Sequence, residues 1–241
     1  IQWIGSQPQL LLGLGPDIRR RFLDMGMFHV EHDYLQVFSS YQRNLRQRNA
    51  AIKQGDREAV RIWDPQLGIA GELLNQARAT FVDSLLERAA EIITTWKAGF
   101  SISYRYRPGW NDQHTLAQQI AKKIDIDLKM GYTTAGPHRA ELDIIVGSGL
   151  AEKQLSRGQQ KILVLALNLA LLDLIVSKHG RVPILLIDDL AAELDRNNRK
   201  KMIEELEQRG GQVFLTKIDE SAIATIEDAK TFHVEHGVLC D

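Results

Sequence analysis

The segment Pro183-Ile184-Leu185-Leu186-Ile187-Asp188-Asp189 is an unbroken apolar run that stops at two adjacent carboxylates. A short apolar run predicts a buried strand, and in open α/β sheets ligands bind beyond the carboxyl ends of the strands. Carboxylate oxygens suit Mg²⁺, and a second acid can orient or deprotonate an attacking water. Because neighbouring strand residues point to opposite faces, Asp188 and Asp189 are expected to have different roles. An ordinary strand-to-loop junction has the same appearance, so both interpretations stay open for this segment alone.

The elements around this strand predict an α/β fold. A long apolar helix that begins near Ile162 precedes the strand, and a charged helix follows it, from Asp195 as N-cap to the Gly210-Gly211 pair. A strand over 212–215 comes next, and 232–236 is expected to be a strand as well. This alternation of apolar strands and helices is typical of a sheet covered by helices.

The segment 155–161 reads LSRGQQK and lies directly before the apolar helix. A helix N-terminus presents free N–H groups and a partial positive charge, so it binds phosphate readily. Gly158 lets the backbone approach a ligand closely, and Ser156 and Gln159 can donate hydrogen bonds. The alternative is a plain capping box, formed by Ser156 with Gln159 three residues later, which needs no ligand.

Two apolar stripes at helical spacing predict an antiparallel helical hairpin upstream of the sheet. The expected breaks between its helices are Gly55-Asp56 and Trp63-Asp64-Pro65. The stripes consist of Tyr34, Phe38, Tyr41, Leu45 and Ile52, and of Leu74, Ala77, Phe81, Leu85, Ile92 and Trp96. An ordinary helical subdomain with no special role fits the same pattern.

A strand over 100–107, a short helix over 114–123 and a strand over 141–146 follow the hairpin. A change in the character of the sequence places a domain boundary near residue 132. The predicted segments are therefore 1–30, the helical part 31–131, and 132–241.

The charge of the chain excludes binding of nucleic acid through bulk charge alone. Its 241 residues are 44% hydrophobic and 25% charged, with a formal net charge of −1. Any nucleic-acid contact must therefore be local, and one region is rich in basic residues with few opposing acids. Its members are Arg43, Arg46, Arg48, Lys53, Arg57 and Arg61. A solvated, arginine-rich helix face is the alternative.

Three other sequence features bear on membrane association, disulfide bonding and metal binding. The sequence has no stretch approaching the roughly 18 to 20 uninterrupted apolar residues of a membrane span, so no membrane association is expected. The single Cys240 cannot form an internal disulfide and fits a reducing cytosol. The pentapeptide FHVEH occurs at 28–32 and at 232–236, but a metal role is disfavoured because histidines three apart on a strand face opposite sides.

The helix start at 155–161, the apolar strand ending in Asp188-Asp189 and the following Glu193-Leu194-Asp195 together resemble the signature, Walker B and D-loop series of ABC-type ATPases. Within that superfamily, Arg157, the segment RRRFLD at 19–24 and the segment GYTTAGPHR at 131–139 resemble the RecF family. The resemblance covers nearly the whole chain. It implies an α/β fold with part of an ABC-type ATPase head and a mostly helical arm, so that 1–30 ends an N-terminal head lobe, 31–131 is the arm and 132–241 is the C-terminal head.

The resemblance also implies roles for individual residues. Asp188 would hold Mg²⁺ and Asp189 would be the catalytic carboxylate. Asp195 would lie at a dimer seam, and Thr216 stands where transporters carry a switch histidine, which makes it a possible γ-phosphate sensor. The residues that would contact the γ-phosphate of ATP bound to a second protomer are Ser156, Arg157, Gly158 and Gln159.

His138 and Arg139 are further candidates for contact with DNA or phosphate, where the chain re-enters the head. The preceding Gly136-Pro137 suits a tight turn equally well, so both interpretations stay open.

No G-x-x-x-x-G-K-[ST] phosphate-binding loop occurs in the sequence. RecF proteins carry this loop on a preceding N-terminal segment, so the chain is expected to be truncated at its front. Without the N–H groups and the lysine of the loop, this polypeptide alone is expected neither to bind ATP tightly nor to hydrolyse it.

By resemblance, the function is ATP-dependent DNA repair, recombination and replication in the cytoplasm, within the SOS response. The implied cofactors are ATP and Mg²⁺. The implied partners are a second copy of the chain, single-stranded and gapped duplex DNA, and the RecO and RecR proteins. The alternative is a non-enzymatic DNA-binding or docking module derived from an ABC-type head. A transporter subunit is disfavoured by Arg157 and by the long helical insertion before residue 100.

Overall fold

The computed structural model describes residues 2–4, 11–111, 113–188, 194–216, 230–235 and 238–240. The chain divides into two compact units, one formed by 7–182 and the other by 1–6 together with 183–241. The segments predicted from the sequence, 1–30, 31–131 and 132–241, have other boundaries. This division of the chain stays a prediction.

The described elements, in chain order, are as follows. They are β1 (Gln2–Ile4), α1 (Pro16–Val30), α2 (Tyr34–Gln54), α3 (Arg57–Thr95), β2 (Ser103–Arg107), α4 (Leu116–Lys122), α5 (Ile124–Met130), a 3₁₀ turn (Pro137–Arg139), β3 (Glu141–Val146), β4 (Gly149–Leu150), α6 (Ala151–Gln154), α7 (Arg157–His179), β5 (Leu185–Asp188), α8 (Arg196–Arg209), β6 (Val213–Thr216), β7 (His233–Glu235) and β8 (Val238–Cys240).

Helices α2 and α3 form the predicted hairpin. The chain reverses at Gly55, whose φ of 72° lies in the left-handed region that favours glycine. Asp56 then caps α3, because its side chain accepts a hydrogen bond from the N–H of Ala59 at 3.0 Å.

The predicted break at Trp63-Asp64-Pro65 is wrong. Helix α3 runs unbroken from Arg57 to Thr95 with Pro65 inside it. Pro65 removes one helical hydrogen bond. Tertiary contacts of the residues on both sides of Pro65 offset this loss. Asp64 forms an ion pair with Arg48, and Leu67 is fully buried.

Helix α4 packs on α3 at unusually short range. A Cβ placed on Gly68 would lie 2.6 Å from the Cβ of Ala117, and one placed on Gly71 would lie 2.3 Å from a methyl carbon of Leu116. Only glycine permits this approach. Helix α5, which no pattern in the sequence indicated, continues from α4 and packs on α2 and α3.

The segment RRRFLD packs against residues 140–141, which directly follow the segment GYTTAGPHR. Arg20 on α1 donates to the carbonyl of Ala140 at 2.6 Å, and Arg19 donates to the carboxylate of Glu141 at 2.8 Å. Arg78 on α3 joins them, since it donates to both oxygens of Asp24 and to the carbonyl of Pro137. These hydrogen bonds therefore connect α1 and α3 to the residues around the start of β3.

Strands β2, β3 and β4 form an antiparallel sheet, and β3 has the predicted bounds. On its open face, Arg105 and Arg107 both pair with Asp143 across the sheet. Strand β2 begins at Ser103, three residues later than predicted.

Helix α7 is the core helix of its unit, and every residue from Lys161 to Leu172 is buried. It starts at Arg157, five residues earlier than predicted, so most of the LSRGQQK segment is helical. This helix is long and apolar enough to cross a membrane, but 67% of its apolar window is buried inside the protein.

The other unit contains a parallel sheet in the order β1-β5-β6. Helix α8 connects β5 to β6 and ends before Gly210, as predicted. The predicted strand at 232–236 is present as β7, which pairs antiparallel with β8.

Candidate functional site

The start of α7 is one candidate region for ligand binding, and it contains the predicted capping box. The Ser156 Oγ accepts a hydrogen bond from the Gln159 N–H at 3.3 Å, and the Gln159 Oε1 accepts one from the Ser156 N–H at 3.0 Å. Both side chains act here as acceptors. The hydroxyl hydrogen of Ser156 and the amide N–H groups of Gln159 therefore remain as donors.

Gly158 lies in the first turn of α7, and its own surroundings do not explain it. Apart from its two chain neighbours and the backbone of its own helical turns, the described part of the chain has no heavy atom within 4 Å of a Cβ placed on Gly158. Glycine inside a helix costs about 0.5–1 kcal/mol relative to alanine. Neither a positive φ nor a close neighbour in the described chain requires glycine here.

The end of β5, in the other compact unit, is a separate candidate region for ligand binding. Asp188 is the last residue of β5 and stands directly opposite Thr216, the last residue of β6. The Thr216 hydroxyl donates to the Asp188 Oδ1 at 2.7 Å. Because the two strands are parallel, both side chains lie at the carboxyl edge of the sheet, where α/β folds bind ligands. Asp189, the predicted catalytic carboxylate, lies outside the described residues.

The contact between Thr216 and Asp188 gives Thr216 a role that the sequence did not indicate. Thr216 orients the carboxylate of Asp188, whether or not it also senses a phosphate. The pairing of the two strand ends, which fixes this contact, depends on the sheet register. The sequence contained no signal for that register.

One carboxylate with a neighbouring hydroxyl fits Mg²⁺ better than a metal that requires a complete protein cage. Magnesium is commonly held by one or two carboxylates together with substrate phosphates and waters. Among the described residues, no cluster of three or more His, Cys, Asp or Glu side chains forms a metal-binding group. Asp188 would therefore share the metal ion with the phosphates of a nucleotide.

Asp195 is the N-cap of α8, as predicted. Its Oδ1 accepts a hydrogen bond from the Asn198 N–H at 2.8 Å, and its Oδ2 accepts one from the Asn198 amide at 2.6 Å. The backbone hydrogen bond from Asn198 is the main cause that lowers the pKa of Asp195. The side chain is exposed, and its place at a dimer seam stays a prediction.

Five of the six predicted basic residues lie on the surface of the helical hairpin. They are Arg43, Arg46, Lys53, Arg57 and Arg61. Arg43 and Arg46 line a shallow depression of about 440 Å³ on α2, beside Phe38, Ser39 and Gln42. Spacings of three and seven place Arg43, Arg46 and Lys53 on one face of α2. Arg57 forms an ion pair with Asp125 on α5.

Arg48 is not part of this basic surface, and its assignment as a DNA contact is wrong. Its side chain is fully buried and donates to Asp64 at 2.8 Å, to Asp127 at 2.7 Å and to the hydroxyl of Thr133 at 2.8 Å. Its place in the basic stretch 43–61 grouped Arg48 with the other basic residues, but α5 and the segment after it cover this side of α2. Arg48 therefore stabilises the packing of α2 against α3 and α5.

The assignment of His138 as a phosphate or DNA contact is also wrong, because both ring nitrogens are occupied. The Tyr41 hydroxyl lies 2.6 Å from Nδ1, and Nε2 lies 2.8 Å from the carbonyl of Thr133. A carbonyl only accepts, so Nε2 carries the proton and Nδ1 accepts from Tyr41. Burial lowers the pKa of His138 from 6.5 to about 4, which keeps the ring neutral.

Arg139, by contrast, is exposed, and its guanidinium lies 4.8 Å from the centre of the Tyr132 ring. A guanidinium over an aromatic face keeps its N–H groups available at its edge. Contact of Arg139 with DNA therefore stays a prediction.

Comparison with known proteins identifies the family of the chain. Residues 36–239 match the family model described as the RecF/RecN/SMC N-terminal domain. The chain is 36% identical over 232 residues to the DNA replication and repair protein RecF of Vibrio vulnificus strain CMCP6, covering 95% of this chain and 65% of the relative. The same protein of Chromohalobacter salexigens is 36% identical over 245 residues, covering 99% of this chain and 68% of the relative.

A solved structure described as the recombination mediator protein RecF with ATP in the RecFOR pathway superposes with a TM-score of 0.84 at 22% identity. This match covers 100% of the present chain and 67% of that chain. The fold is thus part of an ABC-type ATPase head with a helical arm. The chain therefore belongs to the RecF family, and it spans about two thirds of the length of these relatives.

Proposed function

We propose that the protein is a DNA-repair ATPase whose two copies hold two ATP molecules between their heads. In that state the dimer binds duplex DNA next to single-strand gaps. The observation that carries this proposal is the unpacked Gly158 in the first turn of α7, flanked by the unused donors of Ser156 and Gln159. A glycine that the described chain does not require is explained by a ligand that approaches from outside it.

The chemistry of ATP binding is divided between two protomers in this proposal. Ser156, Gly158 and Gln159 donate hydrogen bonds to the γ-phosphate bound to the other protomer, where the N-terminus of α7 favours negative charge. Arg157 is exposed and supplies a further positive charge. Asp188 binds Mg²⁺ on its own protomer and is held in place by Thr216. Asp189 orients the attacking water.

The remaining parts of the proposal come from the relatives. Solved structures describe RecF as a recombination mediator in the RecFOR pathway, which supports the RecO and RecR proteins as partners. Curated relatives are described as DNA replication and repair proteins. The description of a recombination mediator also supports a role in recombination. A role in the SOS response and a cytoplasmic location rest only on the family resemblance of the sequence.

Gly158→Ala is expected to separate stability from function. Alanine replaces glycine at a helical position with free space around it, so the free energy of unfolding of the 241-residue chain should rise by about 0.5–1 kcal/mol. In the complete reading frame that contains this sequence, the added methyl group blocks close approach of a phosphate. ATP-driven dimerisation should therefore weaken at least about tenfold, measured by sedimentation, as expected for loss of one or two charge-assisted hydrogen bonds.

Gly180→Ala serves as the matched control, because its φ of 65° makes alanine strained without touching the start of α7. This variant should lose stability and keep its response to ATP. If Gly158→Ala dimerises with ATP as well as the wild type does, α7 does not contact the nucleotide.

The basic face of α2 is proposed to contact the phosphates of DNA. Replacing Arg43 and Arg46 together by alanine should weaken binding to gapped duplex equally for all sequences. The slope of log affinity against log salt should fall by about 2, roughly one for each lost phosphate contact. Fluorescence anisotropy at several salt concentrations measures both effects. Lys178→Ala, at the far end of α7, should leave the slope unchanged.

An unchanged salt slope in the double variant would contradict the assignment of this face to DNA. If DNA binds through this face but ATP never promotes dimerisation, the non-enzymatic DNA-binding module replaces the ATPase as the better function.

A further inference from the structure

Gln160 lies in the first turn of α7, but its side chain reaches back to the short helix α6. Its Nε2 amide donates to the carbonyl oxygen of Glu152 at 2.9 Å and to that of Leu155 at 3.1 Å. An amide nitrogen carries two hydrogens, so one hydrogen can serve each carbonyl.

The capping box explains why these two carbonyls need a partner. In a continuous helix, the carbonyl of Glu152 would accept from the N–H of Ser156, and that of Leu155 from the N–H of Gln159. Both N–H groups are already used, because Ser156 N–H donates to the Gln159 side chain and Gln159 N–H donates to the Ser156 side chain. Gln160 therefore satisfies the two carbonyls that the capping box leaves without a helical partner.

The contacts of Gln160 fix the corner between α6 and α7. Leu155 and Ser156 are both in the extended conformation, so the chain changes direction there. Leu155 is 7% exposed and Ala151 is 1% exposed, so burial of these two apolar side chains stabilises one side of the corner. The hydrogen bonds of Gln160 stabilise the other side, because they join the backbone at the end of α6 to the first turn of α7.

We propose that Gln160 is a positioning residue for the phosphate-contacting start of α7. It sets the direction in which Ser156 and Gly158 face a nucleotide, and it has no contact with the nucleotide itself. This proposal rests on the proposed function, and it adds a residue to the machinery of the same site.

The test compares two variants of similar length in the complete reading frame that contains this sequence. Gln160→Glu keeps the shape but has no donor, and its charge repels the two carbonyls. Gln160→Lys keeps a donor of similar reach. With ATP, Gln160→Glu should dimerise at least about tenfold more weakly than the wild type, and Gln160→Lys should stay within about threefold, since a donor to a carbonyl is restored. Lys153→Ala, an exposed position on α6, is the control and should match the wild type.

Two further measurements separate positioning from general loss of structure. The affinity of dilute monomer for ATP should be the same in the wild type and in Gln160→Glu, because in the proposed composite site α7 contacts only the nucleotide bound to the other protomer. In the 241-residue chain, hydrogen exchange over 151–160 should become faster in Gln160→Glu and stay slow in Gln160→Lys, while the core of α7 stays protected.

The outcomes distinguish this proposal from the one on which it rests. If the wild type dimerises with ATP and Gly158→Ala does not, but Gln160→Glu behaves as the wild type, then only the role of Gln160 is wrong. If Gln160→Glu and Gln160→Lys are impaired equally, the amide donor is not what matters, and the proposal is overturned. If ATP does not drive the wild type to dimerise, both proposals fail together.

Discussion

Arg48→Ala is expected to lower the free energy of unfolding of the 241-residue chain by about 3–5 kcal/mol, the cost of breaking a buried ion pair by removing one partner. In the variant, the fully buried carboxylate of Asp127 has lost its ion-pair partner. The carboxylate of Asp64, which is 8% exposed, has lost its partner as well. It also removes a donor from the hydroxyl of Thr133. Urea denaturation followed by circular dichroism measures the effect.

Arg46→Ala is the matched control for Arg48→Ala, since Arg46 lies on the exposed face of the same helix. Its free energy of unfolding should change by no more than about 0.5 kcal/mol, as for an ordinary surface position. Burial raises the pKa of Asp64 even beside Arg48, so its carboxylate can be neutralised by protonation in Arg48→Ala, and the stability deficit of the variant should narrow as the pH falls from 7 towards 5. A loss below about 1 kcal/mol at pH 7 would show that the guanidinium does not stabilise the packing of α2 against α3 and α5.

His138 is expected to make the stability of the chain depend on pH between 4 and 6.5. Its pKa is lowered from 6.5 to about 4, chiefly by burial. Between these values the unfolded chain binds a proton at His138 and the folded chain does not. The free energy of unfolding therefore falls as the pH decreases through this range, by about 3 kcal/mol in total, at 1.36 kcal/mol for each unit of pKa.

His138→Gln isolates this contribution from that of the carboxylates. Glutamine can still accept from Tyr41 and donate to the carbonyl of Thr133, but it does not titrate. The wild type should lose about 3 kcal/mol more than His138→Gln between pH 7 and pH 4, measured by denaturation at a series of pH values. Equal losses in the two proteins would mean that His138 is not held neutral by its surroundings.

Much of the fold follows from the sequence because its signals are local. The predicted apolar strand is present as β5. Helix α8 begins after its N-cap Asp195 and ends before Gly210, as predicted. Gly55 and Asp56 supply the turn and the cap of the hairpin. In each case the deciding interaction lies within a few residues of the signal.

The errors in the prediction arise where distant residues decide the structure. Pro65 does not break α3, because tertiary packing outweighs one missing hydrogen bond. Arg48 lies in the same basic stretch as the exposed arginines, and only its contacts with Asp64, Asp127 and Thr133 reveal that it is buried. The sequence contains no pattern that links these four positions.

The candidate site shows the same division between local and distant signals. The capping box of Ser156 and Gln159 is local and was predicted. The contact of Thr216 with Asp188 and the reach of Gln160 to α6 depend on sheet register and on the angle between two helices. Three-dimensional geometry was needed to find both.

The most direct test of the composite site mixes two inactive variants of the complete reading frame, Asp188→Asn and Gly158→Ala. If Asp188 acts on the nucleotide of its own protomer and Gly158 on that of the other, a mixed dimer contains one intact site. ATP hydrolysis by an equal mixture should then recover to about a quarter of the wild-type rate, since half of the dimers are mixed and each has one complete site of two. No recovery in the mixture, although mixed dimers form, would contradict a site shared between protomers.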